Sequence, residues 1–259
     1  MYESLIRLLA AIGRAAAKLP FPITGLTAAL LAGLMLARPQ KLWKPLLALA
    51  LSLAVLWLPL YANKPYAVSR TAADETISTF IDSLAHALEP ADALSHEEIL
   101  QTAQTLSGGG VQLKYMRFPE LMRALRMAGF YSPLTGEALL SEAEPEWFLP
   151  FVACHELAHA NGLANEGQAN LRAYALCMAA DSPAFRNSAR LYAMRIAFSM
   201  LDSSAAQATR SRLPEAVQRF LSGAEPRSAR RAGSLLSVIP GRYEDLIYGL
   251  LFNSSNSEA

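Results

Sequence analysis

Two uncharged apolar runs dominate the first quarter of the chain: residues 19 to 37 and residues 45 to 63 carry no ionisable Asp, Glu, Lys or Arg. Each approaches the roughly 20 residues that an α-helix needs to cross a hydrocarbon layer, with Pro20, Pro22 and Pro59 shortening the regular part. The pattern predicts a transmembrane helical hairpin over 19–63, with Trp43, Trp57 and Tyr61 as interfacial anchors. Before it, Leu5, Leu8, Leu9, Ile12 and Ala16 recur at helical spacing, so residues 1–18 form an amphipathic segment suited to lying along the interface. Arg38, Lys41 and Lys44 crowd the short loop between the spans, which places that loop in the cytoplasm and the chain beyond residue 64 on the exterior face.

Past a linker at 64–70 the pattern changes to that of half-buried elements. Ile77, Phe80, Ile81, Leu84 and Leu88 share one face of a helix from about Asp74 to Leu88. Ser95-His96-Glu97-Glu98 is a capping box opening a helix to about Leu106, and Gly108-Gly109-Gly110 breaks the chain after it. A short strand within Val111 to Met116 and a helix over Phe118 to Met127 follow. Gly129 to Leu140 reads as two short strands around Thr135-Gly136, and Pro133 confines its strand to an edge or a bulge. Helices are then expected from about Trp147 or Pro150 to Asn161, from Gln168 to Ala180, and from Ala184 to about Leu201 behind Pro183. Leu213-Pro214 divides two more, and a last helix ends near Phe252, with 254–259 a disordered tail. The expected fold class is α+β and predominantly helical, in one domain spanning 71–253.

Lys and Arg number 23 against 22 Asp and Glu, so the net charge of +1 points away from a nucleic-acid partner. Two cysteines, Cys154 and Cys177, fall too far apart along an antiparallel helix pair for a bridge and read as buried thiols.

The candidate chemistry lies in His155-Glu156-Leu157-Ala158-His159. On a helix the i, i+4 spacing puts both imidazoles on one face, one turn apart, where they can hold one Zn²⁺. Glu156 then stands beside the metal as general base for a zinc-activated water. Gly162 suits a helix C-terminus, and the turn it permits lets Glu166 return as third ligand. Asn165 stands where a third histidine would fall in the related H-E-x-x-H-x-x-G-x-x-H spacing, but a carboxamide is a weak zinc ligand beside a carboxylate. Asn170 and Tyr174 follow one and two turns after Glu166, and Asn170 can hold its carboxylate in place. Tyr131, Ser132 and Pro133 form a candidate substrate-binding strand, where an extended peptide would pair main chain to main chain. Tyr131, Tyr174, Arg242 and Tyr243 are unranked candidates for stabilising an oxyanion. The competing class is a non-enzymatic membrane protein with a structural or partner-binding zinc site. The open fourth coordination position and the intact Glu156 argue against it.

From Leu113 to Leu201 these motifs resemble an uncharacterised bacterial family of membrane-anchored H-E-x-x-H proteins. The residues that carry the resemblance are Gly129 to Ala138, Leu149 to His159, Gly162 to Glu166, and Ala169-Asn170. That family typically has Glu-Asp-Glu-Ala-Asn where this chain has Glu166-Gly167-Gln168-Ala169-Asn170, so one acidic residue is replaced by Gln168. A wider similarity runs to the zincin metallopeptidases, gluzincin-like and distantly of the ImmA/IrrE type. The resemblance implies a zincin-like domain behind the membrane hairpin, acting on peptide or protein substrates at a bacterial cell membrane.

Overall fold

The computed structural model describes residues 72–116, 128–132, 136–142, 145–163, 165–222 and 244–253. The expected amphipathic segment, the membrane hairpin, the helix over 118–127, Pro133, Arg242, Tyr243 and the tail all lie outside them. Among the described residues no helix is long and apolar enough to cross a membrane.

In chain order the elements are α1 (Asp74–His86), α2 (His96–Leu106), β1 (Leu113–Tyr115), β2 (Gly129–Ser132), β3 (Glu137–Leu140), α3 (Leu149–Ala160), α4 (Glu166–Met178), α5 (Pro183–Met200), α6 (Ser203–Arg212), α7 (Glu215–Leu221) and α8 (Glu244–Asn253). The class is α+β and mostly helical, as the hydrophobic periods indicate. The chain divides into two compact units, and it passes between them within α3, after Phe151, and again after Asn165.

One unit contains α2, the sheet and residues 152–165. Its capping box is complete: the Ser95 hydroxyl accepts from the Glu98 backbone N–H, and the Glu98 carboxylate accepts from the Ser95 N–H. Two of the orphan donors at a helix start are thereby satisfied. The sheet order is β1-β3-β2, with β1 parallel and β2 antiparallel to β3. Tyr131 pairs with Ala138 and Ser132 with Glu137. β3 is buried along its whole length and is the central strand. Among the described residues no strand pairs with the outer side of β2, so within this sheet β2 is an outer strand. Glu137 is fully buried and carries an ion pair with Lys114 at 3.0 Å, which offsets the cost of taking a carboxylate out of water.

The other unit gathers α1, the start of α3 and the helices from α4 to α8. Ile77, Ile81 and Leu84 of α1 enter one apolar cluster with Met194, Phe198 and Met200 of α5, Val217 of α7, and Leu246 and Ile247 of α8. Burial of such side chains contributes about 1.5–3 kcal/mol each relative to exposure. Beyond α1, Glu89 receives Arg186 through both carboxylate oxygens and Arg190 through one. Its main chain exchanges two hydrogen bonds with the Asn187 amide, so the loop after α1 is fastened to α5. The first turn of α3 is held similarly: the Phe151 N–H donates to the buried Ser188 hydroxyl at 3.0 Å, and the Phe151 ring stacks on Tyr192. Pro183 stands in the first turn of α5, where its missing N–H costs nothing. Cys154 and Cys177 are buried thiols outside any disulfide, as expected from their spacing.

Candidate metal centre

The end of α3 is shaped by Gly162. Its φ of +99° is one an L side chain rarely adopts. The Gly162 N–H donates to the His159 carbonyl at 2.9 Å and the Leu163 N–H to the Ala158 carbonyl at 3.2 Å. These two bonds form a Schellman motif, which satisfies the last carbonyls of the helix and turns the chain. Neighbouring Asn161 adds a side-chain bond to the Leu157 carbonyl at 2.9 Å.

That turn also orients His159. Its Nδ1 lies 2.6 Å from the Leu163 carbonyl oxygen, which can only accept, so Nδ1 is the donor and, in the neutral ring, Nε2 is the nitrogen left for a metal. A backbone carbonyl on the far nitrogen is the usual partner of a metal-binding histidine. His155 Nε2 faces His159 Nε2 at 3.0 Å, with the two rings perpendicular. One tetrahedral zinc at 2.0–2.1 Å would hold two nitrogens about 3.3 Å apart, so the pair already has the separation that a shared ion requires.

Glu166 is the first residue of α4, where the turn at Gly162 lets the returning helix begin. There its carboxylate benefits from the positive end of the helix. Asn165 immediately precedes that helix, at the position where Asn is favoured as a cap. Ligand atoms of His155, His159 and Glu166 all lie within 4.8 Å of one another, and each residue is half-buried. Among the described residues no fourth His, Cys, Asp or Glu joins this group. Three protein donors are the complement that catalytic zinc sites use.

Glu156 is only 6% exposed. A Cβ built on Gly129, at the start of β2, would stand 2.6 Å from both Glu156 Cγ and Oε1 and 2.8 Å from Val152 Cγ1. Glycine at 129 is thus what lets the edge strand approach the H-E-x-x-H helix so closely. Two residues on, Tyr131 shares the strand face of Gly129 and is half-buried. Ser132 is buried and its carbonyl accepts from the Gly136 N–H at 2.6 Å, so its main chain faces β3, and the outward main-chain groups of β2 at this end are those of Tyr131.

Asn170 is wholly buried. Its Oδ1 accepts from the Tyr192 hydroxyl at 3.5 Å, and its Nδ2 has no hydrogen-bond partner. Sequence reasoning missed Tyr192, which no motif marks, and the Leu163 carbonyl, whose role only the turn geometry exposes. Tyr174 packs against the apolar cluster of its unit, and burial pushes its phenol up. Gln168 is exposed.

Fold and site define a helix-rich α+β protein with an H-E-x-x-H helix and a carboxylate returning on the next one. The chain belongs to the family described as "Protein of unknown function (DUF3810)", whose model matches residues 67–227, well over half of its length. No curated protein and no solved structure matches it.

Proposed function

We propose that this chain is a membrane-anchored zinc metallopeptidase, with His155, His159 and Glu166 as metal ligands and Glu156 as general base. The observation that carries the reading is the convergence of those three donor groups within 4.8 Å. The Nδ1 contact of His159 with the Leu163 carbonyl and a set of three protein donors fit zinc in a working rather than a closed structural site.

A zinc ion held there would polarise the scissile carbonyl and bring the pKa of a water toward neutrality. Glu156 takes the proton of the attacking water and returns it to the leaving amine; its burial keeps bulk water from competing for that proton. β2 supplies the positioning: its outer side, at the main chain of Tyr131, can add an extended peptide as a further strand. Asn170, one turn after Glu166 and with its Nδ2 unpartnered, is placed to support the carboxylate once a metal is bound. Anchoring by 19–63, with the catalytic domain on the exterior face, belongs to the same proposal and rests on the charge and hydropathy pattern of the chain.

The test is Glu156→Gln in the full chain, assayed on an unstructured protein substrate with metal content measured in parallel. Glutamine keeps the shape but cannot take the proton, so hydrolysis should vanish while zinc remains bound. Hydrolysis at the wild-type rate in the variant would remove Glu156 from the mechanism.

A further inference from the structure

The amide of Asn170 is fully buried, with its carbonyl edge engaged and its NH₂ edge without a partner. Buried donors are rarely left so in a finished site, and this one stands one turn after Glu166 on the same face of α4. A carboxylate has no proton to offer, so only the NH₂ edge of an amide can serve it. That edge is available only while the carbonyl edge is turned toward a donor. The Tyr192 hydroxyl is that donor, and it is delivered by a fixed ring: Tyr192 stacks on Phe151 with centroids 3.9 Å apart and on Phe148 at 5.5 Å.

We propose that Tyr192 is a positioning residue for the metal ligand Glu166, acting through the Asn170 amide. The proposal rests on the reading of His155, His159 and Glu166 as a zinc site. The hydroxyl engages the carbonyl edge of the amide, which leaves the NH₂ edge, without a partner in this structure, as the one that can turn to the ligand carboxylate one turn away. Without it the amide can invert and turn its carbonyl oxygen toward a negative charge. The 3.5 Å contact is long for a hydroxyl hydrogen bond, so orientation rather than bond strength is its contribution.

The experiment is zinc affinity of the full chain in detergent, measured by competition with a chromophoric chelator, for Tyr192→Phe alone and combined with Glu166→Ala or Asn170→Ala. Phenylalanine keeps both ring contacts and removes only the hydroxyl. Tyr192→Phe should weaken zinc binding on the order of 10-fold, as loss of a ligand-orienting hydrogen bond does. It should add nothing in either combined variant, and the absorption bands of the cobalt-loaded protein should shift. Equal weakening with and without Glu166 would mean a merely structural role and overturn the proposal. Zinc bound as tightly by Tyr192→Phe as by the wild type would overturn it while leaving the metal centre standing. Absence of zinc binding by the wild type would overturn both.

Discussion

Gly129→Ala tests the approach of β2 to the H-E-x-x-H helix. The added methyl would meet Glu156 Cγ and Oε1 at 2.6 Å and Val152 Cγ1 at 2.8 Å, each about 1 Å inside an ordinary carbon contact. Relief requires the strand to move off or the Glu156 side chain to leave its place. Overpacking of this kind costs about 1–3 kcal/mol. At about 2–4 °C per kcal/mol for a domain of this size, the melting temperature should fall by roughly 5 °C. The source of the cost can be isolated. Glu156→Ala deletes two of the three clashing atoms, so Gly129→Ala should be milder in that background, with a coupling on the order of 1 kcal/mol. Urea unfolding of the wild type, the two single variants and the double variant measures it. In the otherwise native chain a displacement of Glu156 by about 1 Å should also reduce hydrolysis by about 10²-fold. An identical destabilisation with and without the Glu156 side chain would refute the reasoning.

Two further outcomes are expected. Hydrogen bonds from Arg186 and then Arg190 hold the Glu89 carboxyl at about 2, well below its ordinary value, so its stabilising effect is present above the ordinary carboxylate range and lost as pH falls toward 2. The urea midpoints of wild type and Glu89→Gln should therefore differ at pH 6 and converge toward pH 2; a difference independent of pH would count against the clamp. For topology, reporter fusions at residue 65 should be active only on the exterior side, and activity confined to the cytoplasm would reverse the orientation drawn from Arg38, Lys41 and Lys44.

Local chemistry made much of the fold legible in the chain. Ser95 and Glu98 marked a helix start, Gly162 marked a helix end, and Pro183 marked the opening of α5, because each acts on backbone groups within a few residues of itself. The two histidines were legible for the same reason: a four-residue spacing on a helix fixes their shared face. Contacts between distant segments left no such trace. The parallel pairing of β1 with β3, the seating of Gly129 on Glu156 and the Tyr192–Asn170 contact depend on which surfaces pack together, and a hydrophobic period indicates only which face is buried. The helix start at Glu166 was legible as well, because the turn at Gly162 sends the chain back there.

Zinc stoichiometry and affinity across four full-length proteins test the metal centre most directly: wild type, Glu166→Ala, Asn165→Ala and Asn170→Ala. One zinc per wild-type chain is expected, with Glu166→Ala losing far more affinity than Asn165→Ala, because a carboxylate ligand is lost in the first and a helix-cap position altered in the second. Asn170→Ala should fall between them, weakened by about 10 to 100-fold. A Glu166→Ala protein that binds zinc as the wild type does would contradict the account and put the third ligand elsewhere in the chain.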